Sequence, residues 1–186
     1  MKVKIGSSFL ELAQGDITKQ NTEAIVNAAN NRLAPGGGVA GAIHRAAGPE
    51  LWEECKGLGG CRTGEAKITM GYKLPACYVI HTVGPIYSGE PKDVILLGAC
   101  YNSSLKLAVE SGIKSISFPA ISTGVFGYPL EKASVVALKT AIEFLKQCDG
   151  IDLIRFVLYS EQALRIHEKR LNELVEKDTD IELIRE

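Results

Sequence analysis

The chain has 186 residues, a length that fits one domain. Because 46% of the residues are hydrophobic and 23% are charged, the chain can bury a full core, and this composition excludes global disorder. Its net charge of −1 argues against nucleic acid as a partner, because nonspecific binding to phosphates needs clustered lysine and arginine. No segment is apolar enough over enough residues for a signal peptide or a membrane span, so no membrane partner is expected.

The hydrophobic pattern predicts strands at residues 2–5, 9–15, 24–28, 66–71, 78–83, 115–118 and 153–159. The later ones are continuous apolar runs, which are typical of strands covered on both faces. The opening strands have no helix between them, which indicates an antiparallel edge.

Helical spacing predicts four helices between or after these strands. One begins near Val39, one follows Asp93 as its cap, one has Pro129 near its first position, and one follows Ser160 as its cap. Strand–helix alternation predicts an α/β fold, a three-layer α/β/α sandwich around a mixed, largely parallel sheet. We assign residues 1–177 to one domain and leave 178–186 as a charged tail, either frayed or a short added element.

Five cysteines are present: Cys55, Cys61, Cys77, Cys100 and Cys148. Their odd number and the absence of a CxxC pair favour reduced thiols in a cytoplasmic protein over a disulfide framework. A zinc site from Cys55, Cys61 and a histidine is the alternative, but the spacing is unlike that of usual zinc ligand pairs. We therefore expect no metal.

Two glycine-rich loops, loop 35–38 (PGGG) and loop 122–127 (STGVFG), each follow a predicted strand and precede a helix. Glycine lets backbone N–H groups approach a ligand, and a helix N-terminus favours negative charge. Each loop alone could be a plain turn, whereas the pair favours an anion site between them. Neither ends in the Gly-Lys-Ser/Thr of a triphosphate P-loop, so a pyrophosphate diester fits better.

A dinucleotide-binding oxidoreductase is the competing interpretation of the first loop. The spacing Gly36-x-Gly38-x-x-Gly41 fits the dinucleotide fingerprint. That fingerprint requires a tight turn from strand to helix, and here residues 29–35 intervene. The sequence also offers no catalytic partner for a nicotinamide.

Six segments taken in order resemble the macro domain family, and within it the MacroD group of ADP-ribose hydrolases. They are QGDIT (14–18), VNAAN (26–30), GGGV (36–39), IHRAAG (43–48), HTVGP (81–85) and PAISTGVFGYP (119–129). The resemblance covers roughly residues 9 to 175 and implies the macro domain fold, a pocket for ADP-ribose and no cofactor. It also implies ADP-ribose and mono-ADP-ribosylated proteins as partners. We expect a monomer.

The resemblance assigns roles to residues that face this pocket. Asp16 is implied to accept a hydrogen bond from the adenine amino group beside the Ile17 N–H, and Tyr159 to lie against adenine. For Asp16 the alternative is a turn cap, and for Tyr159 a core position at a strand end. Loop 122–127 is implied to wrap the pyrophosphate. The remaining implied ligand-binding residues are Gly36, Gly37, Gly38, Val39, Ser122, Thr123, Gly124, Val125 and Phe126, the last of which covers the distal ribose.

The resemblance implies catalytic roles for Asn30 and His44, and Asn30 is implied to hold hydroxyls of the distal ribose. Asn27 is expected to tie its strand end to neighbouring backbone. Ala40 departs from the MacroD pattern, which usually has an aspartate there, one helical turn before the histidine. His44 therefore stands without that acid, and a packing role is its alternative. General-base help is typically worth 10²–10⁴-fold, so we expect slower turnover and not its absence. A non-catalytic reader of ADP-ribose remains the alternative.

Overall fold

The structure is a computed structural model, and it describes residues 1–185. Its strands are β1 (Lys2–Ile5), β2 (Ser8–Gln14), β3 (Ala24–Ala28), β4 (Ala66–Met70), β5 (Tyr78–Thr82), β6 (Ser115–Phe118), β7 (Leu153–Leu158) and β8 (Ile181–Ile184). Its helices are α1 (Gly38–Ala47), α2 (Pro49–Lys56), α3 (Pro91–Glu110), α4 (Leu130–Gln147) and α5 (Glu161–Val175). A short 3-10 turn covers Ile17–Lys19.

All eight strands form one mixed sheet in the order β4-β5-β3-β6-β7-β2-β1-β8. The five strands from β5 to β2 are parallel to one another, so their carboxyl ends lie along the same edge of the sheet. Antiparallel strands close both sides, with β4 beside β5, and β1 and β8 beyond β2. The predicted antiparallel edge at the start of the chain is therefore present.

Helices cover both faces of the sheet because the central strands bury side chains in both directions. In β3, Ile25 belongs to the buried cluster that includes α1 and α2 on one face, while Ala24 and Val26 belong to the cluster that includes α3, α4 and α5 on the other. The buried ring of Tyr101 from α3 lies 5.1 Å from that of Phe118 in β6, between centroids. The predicted three-layer sandwich is confirmed.

Two helix starts differ from the sequence-based expectation. Helix α2 was not predicted, although Gly48 (φ 92°) followed by Pro49 is a signal for one helix ending and another beginning. Helix α3 begins at Pro91 with Glu90 as its cap, and not after Asp93. The Asp93 carboxylate instead accepts hydrogen bonds from the N–H groups of Ser88 (2.9 Å) and Gly89 (2.8 Å).

The charged tail contributes an added element. Its Ile181–Ile184 segment is β8, which pairs antiparallel with β1, and Ile181 is buried against the core. Alternating side chains in this short strand let one face pack while Glu182 stays in solvent. Among residues 1–185 no helix is long and apolar enough to cross a membrane.

Candidate functional site

Four neighbouring strand ends bring the predicted binding residues together. Strands β3, β6, β7 and β2 are consecutive in the sheet and parallel, and adjacent strands lie about 4.8 Å apart. The chain continues from β3 into Asn30 and loop 35–38, from β6 into loop 122–127, from β7 into Tyr159, and from β2 into Asp16. Segments far apart in the sequence thus share one edge of the sheet, where ligands bind in open α/β folds.

Loop 35–38 presents unpaired backbone amides at the start of α1. The first intrahelical bond of α1 runs from the Gly41 N–H to the Gly37 carbonyl at 3.2 Å. Within residues 1–185 the N–H groups of Gly37, Gly38 and Val39 have no hydrogen-bond partner. They form the positive end of the helix, which favours an anion.

Loop 122–127 presents a second set of unpaired amides. It is held by bonds from the Gly127 N–H to the Gly124 carbonyl (3.0 Å) and from the Tyr128 N–H to the Ser122 carbonyl (2.9 Å). Among the described residues the N–H groups of Gly124, Val125 and Phe126 have no partner. Ser122 has φ 66°, an uncommon value for a non-glycine residue that often marks a functional site.

We call these six N–H groups, of Gly37, Gly38, Val39, Gly124, Val125 and Phe126, the amide cluster. Neither loop contains a lysine or arginine. An anion held there would therefore be bound mainly by peptide dipoles. This arrangement suits a pyrophosphate diester, as the sequence predicted.

Asp16 acts as a turn cap in the structure. Its Oδ1 accepts bonds from the N–H (2.8 Å) and the hydroxyl (2.7 Å) of Thr18. These two bonds, the hydroxyl first, lower the pKa of the carboxyl group. The cap leaves Oδ2 with no bond to any residue in 1–185, so capping and adenine recognition are compatible.

Two further residues lie beside this carboxylate. The N–H of Ile17 belongs to the first residue of a 3-10 turn and has no partner in that turn. Tyr159 follows β7 and is 88% exposed, so its alternative as a core tyrosine is wrong. An exposed ring at this edge is available to a flat ligand such as a base.

Asn30 organises its own loop. Its Oδ1 accepts bonds from the N–H groups of Arg32 (3.2 Å) and Ala34 (3.0 Å), and its Nδ2 donates to the Ala34 carbonyl (2.8 Å). These bonds fold the segment between β3 and loop 35–38 and hold Leu33 at φ 57° with its side chain buried. The predicted contact of Asn30 with a ribose stays a prediction.

The position of His44 does not suit a catalytic base. Its side chain is buried, and both ring nitrogens are shielded and lack a hydrogen-bond partner among residues 1–185. Burial lowers the pKa of His44, so the ring is neutral. The expected catalytic role needs a nitrogen that reaches the substrate, and the alternative of a packing residue agrees with this position.

Asn27 also differs from its expected role. It is fully buried, and its Nδ2 lies 3.0 Å from His81 Nδ1 on the neighbouring strand β5, so its partner is a side chain and not backbone. His81 Nε2 lies 2.9 Å from Thr69 Oγ1 in β4 and 3.8 Å from Cys55 Sγ in α2. No role was predicted for His81 or Thr69, although a histidine in a continuous apolar strand is a signal that the ring needs buried partners.

The geometry does not support the alternative of a zinc site formed by Cys55, Cys61 and a histidine. All five cysteines are free, and burial raises the pKa of Cys55 to about 11. No group of three His, Cys, Asp or Glu side chains within residues 1–185 converges as metal ligands do. Cys55 and His81 belong instead to the buried hydrogen-bonded group between α2 and the sheet.

Stability is expected to fall in mild acid because the histidines are buried as neutral rings. Burial lowers the pKa of His44 and His167, and it lowers the pKa of His81 from 6.5 to about 3. Between these two values the unfolded chain binds a proton at His81 that the folded chain rejects, so stability is complete above pH 6.5 and is lost as the pH falls. One such proton is worth about 1.4 kcal/mol per pH unit.

Urea unfolding at about pH 7.5 and about pH 5.5 measures this loss. The His81→Gln variant is the control, because it keeps a polar side chain but does not titrate. We expect its free energy of unfolding to depend less steeply on pH than that of the wild type. An equal slope in both proteins would contradict the assignment to His81.

Comparison with known proteins agrees with this fold. Residues 26–137 match the model of the macro domain family. The ADP-ribose glycohydrolase MACROD2 of Xenopus laevis is 56% identical over 168 residues, which are 89% of this chain and 40% of that protein. The Oceanobacillus iheyensis macrodomain with ADP superposes with a TM-score of 0.93 at 46% identity, over 96% of this chain and 97% of that one.

A third relative is the Trypanosoma brucei macrodomain in complex with ADP-ribose, with a TM-score of 0.84 and 45% identity over 87% of this chain and 68% of that one. The fold and the arrangement of loops at the strand ends define a macro domain. The chain belongs to the macro domain family. It spans about two fifths of the length of the Xenopus MACROD2 protein that it matches.

Proposed function

We propose that the protein binds ADP-ribose and hydrolyses the linkage at the distal ribose, in mono-ADP-ribosylated proteins, in O-acetyl-ADP-ribose, or in both. The observation that carries the proposal is the amide cluster, two sets of N–H groups beyond the adjacent strands β3 and β6 that have no partner among residues 1–185. The relatives support the ligand and the reaction, since one is a solved structure with ADP-ribose and another is an ADP-ribose glycohydrolase.

Each part of ADP-ribose has a matching group along the sheet edge. The Oδ2 of Asp16 and the N–H of Ile17 suit the adenine edge, with Tyr159 beside it. The amide cluster suits the pyrophosphate, and Asn30 suits the distal ribose through the second N–H of its Nδ2, since its Oδ1 already accepts two bonds within its own loop. The order of the strands, β2, β7, β6 and β3, follows the order of these parts in the ligand.

Both candidate substrates present the same bond. An acidic side chain or an acetyl group is joined to the distal ribose through a carboxyl ester, and water splits this ester into a carboxylic acid and a free hydroxyl. The protein would contribute by holding the ribose and a water in place, which can lower a barrier substantially without a general base. His44 transfers no proton in this reaction, because its ring is neutral and shielded.

The release of ADP-ribose tests the proposal. A protein carrying mono-ADP-ribose on glutamate is incubated with excess enzyme, and free ADP-ribose is measured over time, with O-acetyl-ADP-ribose as a second substrate. We expect release from at least one of them above the rate without enzyme. No release from either over hours, with ADP-ribose still bound in a calorimetric titration, would reject the hydrolase.

Replacing Asn30 by alanine is expected to lower kcat by about 10²-fold and to raise the Kd for ADP-ribose by less, by about tenfold at most, since Asn30 also holds the segment that leads into loop 35–38. The reason is that Asn30 would orient the ribose, whereas adenine and pyrophosphate are bound by other groups. Asn31→Ala is the matched control, because it removes the same amide one residue later from an exposed position. Equal losses in the two variants, or a loss confined to affinity, would contradict the role of Asn30.

A non-catalytic reader of ADP-ribose is the second candidate function. Ala40 favours it, because no carboxylate stands one turn before His44 and the ring nitrogens of His44 have no partner within the described residues. Under this alternative the wild type binds ADP-ribose but releases none from either substrate. The release experiment therefore separates the two functions directly.

We further propose that the protein acts as a monomer in the cytoplasm. The cysteine pattern supports the compartment, because an odd number of thiols that are all free is typical of a reducing environment. Sedimentation at several protein concentrations tests the monomer, and a concentration-dependent rise in mass would contradict it. Localisation of the tagged protein in its own cell tests the compartment.

A further inference from the structure

A chain of buried hydrogen bonds crosses three strands beneath the candidate site. Asn27 in β3 contacts His81 in β5 (Nδ2 to Nδ1, 3.0 Å), and His81 contacts Thr69 in β4 (Nε2 to Oγ1, 2.9 Å). Thr69 Oγ1 in turn donates to the carbonyl of Met70 at 3.2 Å. Asn27 and His81 are fully buried and Thr69 nearly so. Bonds in such a position are strong because no water competes for them.

The donors in this chain all point in one direction. The Nδ2 of Asn27 can only donate, so His81 accepts at Nδ1 and carries its single proton on Nε2. The Nε2–H then donates to Thr69 Oγ1, which leaves the Thr69 hydroxyl free to donate to the Met70 carbonyl. A charged His81 carries protons on both ring nitrogens, so its Nδ1 could not accept from the Asn27 Nδ2 in this orientation of the amide. The neutral ring is the form that joins the strands.

The link between Asn27 and His81 lies just before the point where Asn30 leaves the sheet. Asn27 and His81 are paired in the parallel register of β3 and β5, and the pairing continues to Ala28 and Thr82. One more bond, from the Ala29 N–H to the Thr82 carbonyl at 2.9 Å, ends the ladder. Asn30 is the next residue. Its position therefore depends on how the end of β3 is held against β5.

We propose that His81 is a positioning residue, which fixes the end of β3 through Asn27 and thereby aims Asn30 at the distal ribose. This inference rests on the proposed function for its effect on turnover. The bonds at the two ring nitrogens of His81 then have different roles. The Asn27 side controls the position of Asn30, while the Thr69 side anchors the ring to the far strand.

Two matched variants test this difference. Asn27→Ala and Thr69→Val each remove one buried hydrogen bond to His81, so both should melt at lower temperature than the wild type. We expect kcat for ADP-ribose release to fall about tenfold to hundredfold in Asn27→Ala and less than about twofold in Thr69→Val. The Kd for ADP-ribose should stay within about threefold in both. Equal kcat losses, or an unchanged kcat in Asn27→Ala, would overturn the proposal.

A second pair applies if Asn27→Ala does not fold. His81→Gln offers an amide oxygen to Asn27 and an NH₂ group to Thr69, whereas His81→Met has a similar length and offers neither. We expect His81→Gln to keep kcat within a few-fold of the wild type and His81→Met to lose about tenfold or more. Equal kcat values in these two variants would overturn the proposal.

A measurement without turnover separates this inference from the proposed function. The ¹⁵N chemical shifts of His81 should show a protonated Nε2 and an unprotonated Nδ1, and the side-chain amide signal of Asn30 should move in Asn27→Ala but not in Thr69→Val. If the wild type releases no ADP-ribose, the hydrolase fails while these signals still decide whether His81 positions Asn30. If the Asn30 amide signal has the same position in both variants, the inference is overturned, even when the wild type is active.

Discussion

Replacing Ala40 by aspartate is expected to speed the release of ADP-ribose by about 10²-fold, the usual gain from a general base. Residues 40 and 44 lie on one face of α1, one turn apart, and His44 has two ring nitrogens without partners among residues 1–185. A carboxylate at position 40 could accept an N–H from His44 and act on a water at the start of loop 35–38. The nearby negative charge should also raise the pKa of His44.

Single-turnover release measures the rate in Ala40→Asp, and an NMR titration of His44 measures its pKa. Ala40→Asn is the control, since it has nearly the same shape but carries no charge and cannot take a proton. We expect Ala40→Asn to stay within about threefold of the wild type. If Ala40→Asp is no faster than Ala40→Asn, the slow step does not depend on a base at this position.

Replacing Gly41 by alanine is expected to weaken ADP-ribose binding by about tenfold to hundredfold. A Cβ at Gly41 would lie 2.2 Å from the Gly36 carbonyl oxygen and 3.3 Å from its carbon, so loop 35–38 must move away from α1. The N–H groups of Gly37, Gly38 and Val39 would move with it. Each bond from such a group to a charged ligand is worth about 1.5–3 kcal/mol, and every 1.4 kcal/mol is tenfold in affinity.

The same substitution should lower the free energy of unfolding by about 1–3 kcal/mol, as overpacking usually does. Gly98→Ala is the matched control, because it also lies inside a helix but its nearest contact, Thr140 Oγ1, would be at an ordinary 3.5 Å. We expect the control to raise stability by about 0.5–1 kcal/mol and to leave affinity unchanged. Calorimetric titration with ADP-ribose and urea unfolding measure the two effects. Unchanged affinity in Gly41→Ala would mean that loop 35–38 does not bind the ligand.

The strands and most helices were predictable because their signals are local. The strand at Ala24–Ala28 was predicted to the residue, since the apolar run Ala24, Ile25 and Val26 begins directly after the polar segment 20–23. Helix α5 was likewise predicted from its Ser160 cap, whose hydroxyl accepts the N–H of Ala163 at 3.1 Å. Helix α2 was missed because its eight residues are too few to show a clear period.

The residues of the candidate site were predicted in part. The two glycine-rich loops were predicted because runs of glycine are visible in the sequence. Such runs leave backbone N–H groups accessible to a ligand. The bond between Asn27 and His81 was not predicted, since the two residues are 54 positions apart in the sequence. Such pairs become neighbours only through the register of parallel strands.

The layers, the positions of the two loops and the family resemblance could be predicted because they depend on side-chain periodicity and on short contiguous motifs. The adjacency of the strands emerges from the folded chain, and it places Asp16, Tyr159, loop 122–127 and Asn30 one after another along a single edge. Folding also buries His44 and lets His81 join three strands. Burial and pairing depend on the order of strands in the sheet, and that order comes from the packing of the whole chain.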